Sequence, residues 1–147
     1  MSGVAIVTGG SRGIGRATAI LLAERGYDLV VNYQSNAEAA TDTVAAVRGQ
    51  GRQAVAVKGD VGDEADVAAI FAAADKLGRL TALVNNAGVI DAPQRLDEMS
   101  VARLDRMFRI NLTGSFLCAR EAVKRMSTRH GGQGGGIVNL SSAAAVL

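Results

Sequence analysis

Val4-Ala5-Ile6-Val7-Thr8-Gly9-Gly10-Ser11-Arg12-Gly13-Ile14-Gly15 opens the chain with a change of residue character. Residues 4–8 form the short apolar, β-branched run of a buried strand, and four glycines crowd the next seven positions. Ile14, Ala17, Leu21 and Leu22 then share one helical face, and Gly26 supplies a left-handed cap. Strand, tight turn and helix thus follow one another without a spacer. Glycines there let the backbone approach an anion with no Cβ in the way, while the first helical turn presents unpaired N–H groups and a partial positive charge. A glycine-rich turn elsewhere would be only a turn. Between a strand and a helix it predicts a seat for the pyrophosphate of a dinucleotide.

The same alternation runs outward through the chain. Strands are predicted at residues 29–32, 54–57, 80–84 and 137–140, each bounded by polar or glycine-marked breaks. Asn36 is placed to cap a helix with Ala40, Val44 and Val47 inward and Gly49 or Gly51 at its end. Asp63 caps the next, on which Val67, Ile70, Phe71, Ala74 and Leu77 repeat at helical spacing up to Gly78. One long helix is predicted over residues 100–128, burying Leu104, Met107, Phe108, Leu112, Phe116, Ala119, Val123 and Met126. A glycine-rich stretch at 131–136 reads as a flexible connection. Strands alternating with helices require crossover connections, so the class is α/β with a parallel sheet between helical layers. Neither a repeat nor a linker divides residues 1–147, which read as one domain.

Composition narrows the partners. Of 147 residues 48% are apolar, enough for a core, and the 20% that are charged sum to only +2, interspersed in sign. That pattern offers no electrostatic footprint for nucleic acid or a membrane surface. No apolar run approaches spanning length and no signal segment precedes Val4, which makes the cytoplasm the expected location. The single cysteine, Cys118, lies between apolar neighbours and reads as a buried spectator.

Three further motifs arrive in order: Asp60-Val61 after the third strand, Asn85-Asn86-Ala87-Gly88 after the fourth, and Gly136-Ile137-Val138-Asn139-Leu140-Ser141-Ser142 on the fifth. With the Gly-x-x-x-Gly-x-Gly spacing of Gly9, Gly13 and Gly15, they make the chain resemble the short-chain dehydrogenase/reductases over essentially its whole length. The resemblance implies a Rossmann-like, doubly wound sheet in strand order 3-2-1-4-5 and reversible hydride transfer between a nicotinamide cofactor and a small carbonyl or alcohol substrate. It also implies cofactor contacts from Gly9, Ser11, Arg12, Gly13, Ile14 and Gly15, and from Asn86, Ala87 and Gly88 along the sheet's carboxyl edge. By the same resemblance Asp60 accepts a hydrogen bond from the adenine amino group with Val61 beside the ring, although Asp60 could instead be a turn acid. Asn85 is either a cofactor contact or a tie between strands. Ser142, with Ser141 as its competitor, would hydrogen-bond the substrate oxygen, and the backbone carbonyl of Asn111 would hold a water in the proton relay.

The cofactor's identity can be read at the end of the second strand. Asn32, Tyr33, Gln34 and Ser35 stand where an acid would bind the ribose of NAD, and no carboxylate is there to repel a 2′-phosphate. Arg12 could pair with that phosphate, so NADP(H) is expected over NAD(H).

The family's pattern also needs a tyrosine with a lysine four residues later. Tyr27 and Tyr33 are followed at that distance by Val31 and Ala37. The expectation is therefore a longer parent enzyme, with residues 1–147 inactive alone and a homo-oligomer, dimer or tetramer, formed through the long helix. Both a 3-oxoacyl reductase and a sugar or polyol dehydrogenase fit. The alternative is a non-catalytic nucleotide-binding or regulatory protein, or an inactive remnant.

Overall fold

The computed structural model describes residues 3–142 of the chain. Its strands are β1 (Val4–Val7), β2 (Asp28–Tyr33), β3 (Ala54–Lys58), β4 (Leu80–Asn85) and β5 (Gly136–Asn139). Its helices are α1 (Gly13–Glu24), α2 (Ala37–Arg48), α3 (Glu64–Leu77), α4 (Val101–Phe108) and α5 (Gly114–Met126). All neighbouring strands are parallel, in the order β3-β2-β1-β4-β5. This is the doubly wound, Rossmann-like sheet expected.

Because successive side chains on a strand point to opposite faces, the apolar strands build two cores. Ala5, Val7, Leu29 and Val31 pack with Ala19 and Ala23 of α1 and Val44 and Val47 of α2. On the other face, Val4, Ile6, Val30 and Leu83 meet Val67, Ile70 and Phe71 of α3 and Cys118 and Ala122 of α5. Helix starts follow the capping residues: the side chains of Asn36, Asp63 and Ser100 accept from the N–H of Ala39, Asp66 and Arg103.

Two helical faces differ from expectation. In α1 the buried residues are Gly15, Ala19 and Ala23, whereas Ile14 and Leu21 are exposed. Small side chains let a helix lie close to a sheet, so the tightest packing face is not the most hydrophobic one. The single long helix is in fact α4 and α5 joined by a π-helical turn, Arg109–Thr113. A π-turn inserts an extra residue into the helical count and rotates the helix beyond it. Leu112, Phe116 and Val123 are thereby exposed, continuing a face that begins with Phe108 before the turn, and Ile110, Gly114, Cys118, Ala122 and Met126 lie inward. The glycine-rich stretch before β5 is pinned rather than loose, with the N–H of Gly132 donating to Ser127 O at 3.0 Å and that of Gly134 to Met126 O at 2.8 Å.

Candidate functional site

β1 lies between β2 and β4, and the crossovers leave it in opposite directions. At such a switch point the loops beyond the strands diverge and leave a crevice at the carboxyl edge. A cleft of about 450 Å³ opens there, lined by residues 9, 11–14, 32–36, 59–61, 86–89 and 110. It gathers Gly9, Ser11, Arg12, Gly13, Ile14, Asn32, Tyr33, Asp60, Val61, Asn86, Ala87 and Gly88 from four separate loops. Gly15 sits behind the wall, where a Cβ would fall 2.3 Å from Gly9 O and 2.5 Å from Asn86 Nδ2.

The walls are held by buried and half-buried side chains that spend most of their hydrogen bonds on backbone. Thr8 Oγ1 donates to Val84 O at 3.3 Å and accepts from the N–H of Asn86 and of Ala87, each at 3.0 Å. In return Asn86 Nδ2 donates to Thr8 O and Gly9 O at 2.9 and 3.0 Å. Asn32 Oδ1 accepts from Gly9 N–H at 3.2 Å, and its Nδ2 donates to Val57 O and Gly59 O at 3.3 and 3.0 Å. Asn32 therefore ties β1, β2 and β3 together at the cleft floor. Asn85 does the same for β4, α5 and β5, through Ser115 O at 3.2 Å and Asn139 Oδ1 at 2.9 Å. Of its two open roles, the strand tie is the one its amide performs.

One set of donors stays unspent. The N-cap of α1 is Arg12, which makes no side-chain cap bond, and the first turn carries no acid. The first N–H groups of any helix lack an intrahelical partner. Here those of Gly13 and Ile14 belong to residues lining the cleft. The donor set and the cleft both suit a pyrophosphate.

Asp60 Oδ1 accepts from Gly62 N–H at 2.8 Å, while Oδ2 pairs with Arg109 Nη1 at 2.8 Å. Asn111 Oδ1 accepts from Val89 N–H at 2.7 Å and its Nδ2 donates to Val89 O at 2.9 Å, so this side chain clamps the loop after β4. Beyond Val89 that loop is stapled to α4 by Arg106 and Asp91, and the Arg106 guanidinium holds the Asp91 carboxyl below its ordinary range. Ser142 is exposed three residues beyond β5, on the same carboxyl edge but outside the cleft lining. Thr8 and Arg109 are site residues that sequence reasoning misses. Thr8 closes the first strand of the glycine motif, a local hint; Arg109 reaches Asp60 across 49 positions and has none.

Among the described residues no group of three or more His, Cys, Asp or Glu could hold a metal ion, and no helix is long and apolar enough to cross a membrane. The Cys118 thiol is pushed up to about 12 by burial, with the Glu121 charge adding to the effect.

The family model described as short chain dehydrogenase matches residues 3–147. The chain belongs to the short-chain dehydrogenase/reductase family. The uncharacterized oxidoreductase YgfF of Escherichia coli (strain K12) is 48% identical over 145 residues, covering 98% of this chain and 59% of that protein. The 3-oxoacyl-[acyl-carrier-protein] reductase of Synechocystis sp. is 39% identical over 145 residues, covering 98% and 57%. A short-chain dehydrogenase from Burkholderia cenocepacia J2315, solved in complex with NADP, superposes with a TM-score of 0.87 at 38% identity, covering 97% of this chain and 56% of that one. The chain thus spans just over half the length of these three relatives.

Proposed function

We propose that the protein binds NADP(H) in the cleft and transfers hydride reversibly between the nicotinamide and a carbonyl or alcohol carbon of a small molecule. The observation that carries this is the uncapped N-terminus of α1, which opens into a crevice whose walls are otherwise internally bonded. The N–H groups of Gly13 and Ile14 hold the pyrophosphate, and Ala87 and Gly88 bound the cofactor's path along the sheet edge. Arg12, with no carboxylate among Asn32, Tyr33, Gln34 and Ser35, favours a 2′-phosphate over a bare ribose. Bound there, the nicotinamide supplies the hydride chemistry; the protein supplies position and charge. Ser142 donates to the substrate oxygen, and the backbone carbonyl of Asn111 holds a relay water. No proton transfer is assigned to Tyr27 or Tyr33.

The substrate class is that of 3-oxoacyl thioesters or of sugars and polyols, the former supported by the likeness to a 3-oxoacyl reductase. A homo-oligomer is proposed through Phe108, Leu112 and Phe116, which are 60%, 53% and 71% exposed along one helical face. The cytoplasm is the proposed location.

Isothermal titration with NADPH and NADH tests the cofactor assignment. Arg12→Gln should weaken NADPH binding by about tenfold or more, the worth of a hydrogen bond to a charged group, and leave NADH binding within about twofold. Tighter binding of NADH by the wild type would refute the preference; no heat from either dinucleotide would refute the function. Ser142→Ala with unchanged carbonyl-reductase turnover would remove that residue from the reaction.

A further inference from the structure

Both walls of the cleft rest on one short turn. Arg109 holds Asp60 on one side, and Asn111, two residues on, clamps Val89 on the other. The loop at Asp60 sits against this turn too closely for side chains to intervene. A Cβ on Gly62 would lie 2.7 Å from Arg109 Cγ, and one on Gly114 would lie 2.7 Å from Val61 Cγ2. The ion pair is therefore the charged part of a fitted contact, with Asp60 19% exposed on the cleft wall and Arg109 46% exposed outside it.

We infer that Arg109 is a positioning residue for cofactor recognition: it fixes the Asp60 carboxylate so that an amino-bearing purine is preferred over one carrying an oxygen at that position. This rests on the dinucleotide proposal above. An ionised carboxylate has about four acceptor positions, and only two are taken, by Gly62 N–H and Arg109. The remainder can accept from an exocyclic amino group, whereas at that same position hypoxanthine presents a carbonyl oxygen that cannot donate. Freed of Arg109, the carboxylate would lose one of the two bonds that orient it. A pair this exposed adds little to stability. Its effect should therefore appear in base selectivity rather than in melting.

The test compares NADP⁺ with its hypoxanthine analogue by titration calorimetry on the folded protein. Wild type should bind NADP⁺ about tenfold more tightly than the analogue, the worth of one charge-assisted hydrogen bond. Arg109→Gln should reduce that ratio to about twofold or less while melting within about 2 °C of wild type. Arg109→Lys, which keeps the charge but not the fork, should give an intermediate ratio and serves if the glutamine variant does not fold. Asp60→Ala should abolish the ratio, and adding Arg109→Gln to it should change nothing further. A full ratio in Arg109→Gln or Arg109→Lys, or further loss in the double variant, overturns the inference while cofactor binding stands. Wild type that binds both dinucleotides equally overturns it as well. Absence of any heat with wild type removes the dinucleotide proposal itself.

Discussion

Replacing Gly15 by alanine adds one carbon at the tightest point of the site. That carbon would stand 2.3 Å from Gly9 O, 2.5 Å from Asn86 Nδ2 and 3.0 Å from Gly10 Cα. Unstrained contacts between heavy atoms lie near 3.5–4.0 Å, so backbone or clamp must move by about 1 Å. Neither moves freely, because Asn86 Nδ2 is bonded to both Thr8 O and Gly9 O. Overpacking costs roughly 1–3 kcal/mol. Two weakened hydrogen bonds add about 0.5–1.5 kcal/mol each, and alanine returns roughly 1 kcal/mol of helix propensity. The net loss is roughly 1–5 kcal/mol, or about 3–20 °C in melting temperature for a chain of this size. Gly49→Ala is the control: Gly49 has φ −59°, and its nearest neighbours to a Cβ are carbonyl oxygens at 3.4 Å. It should melt at or slightly above the wild-type temperature. Thermal melts followed by circular dichroism decide the matter, and a Gly15→Ala protein melting within about 2 °C of wild type would refute the reasoning.

Thr8→Val should cost roughly 2–4 kcal/mol in denaturant unfolding, since it strips two N–H groups of their acceptor, while Thr8→Ser keeps most of the stability; equal losses from the two variants would dispose of the clamp. Cys118 is fully buried with its thiol pushed up to about 12, so native protein should resist thiol reagents near pH 8 and react only once unfolded. Rapid labelling under native conditions would contradict that. The Glu121 carboxyl is held below its ordinary range chiefly by Lys124 and then by Arg125. A depressed folded value stabilises above the unfolded carboxylate range and is lost as pH falls through the folded one. Glu121→Gln should therefore melt slightly below wild type near pH 7, by no more than about 1 kcal/mol, with the gap closing below about pH 4. A gap constant with pH would reject the assignment.

Elements whose signal is local could be read before any coordinates. The β-branched runs became strands, and Asn36 and Asp63 cap the helices they were expected to cap. Gly26, at φ 89°, closes α1 in the left-handed conformation. Helical faces were harder wherever packing rewards smallness over hydrophobicity, as with Ala19 and Ala23 beneath an exposed Leu21. The π-turn was invisible for a related reason. A helical repeat over residues 100–128 assumes constant pitch, and one widened turn at Arg109–Thr113 exchanges Phe116 for Cys118 on the inner face. At the site, the motifs named the cleft-lining residues but not the work of their side chains. Asn32, expected beside the cofactor, commits its amide to three backbone groups, and the partner of Asp60 lies 49 positions away.

Those commitments explain how a crevice can stay open at the edge of a sheet. Where parallel strands end and diverge, their last N–H and C=O groups lose ladder partners, and burying them unpaired would cost about 1–3 kcal/mol each. Thr8, Asn32 and Asn86 supply missing partners from side chains that cross between strands, and Asn85 adds a tie from β4 to α5 and to the Asn139 side chain. These bonds hold the loops beyond the strands apart at the cleft. Among the described residues, α1 is the α-helix that leaves a loop with no side-chain cap, whereas α2, α3 and α4 each have one. An aspartate cap introduced by Arg12→Asp would satisfy those donors internally and place a negative charge where the proposed pyrophosphate must lie. A rigid frame around an unsatisfied helix end is what lets binding energy go to the anion rather than to ordering the loop.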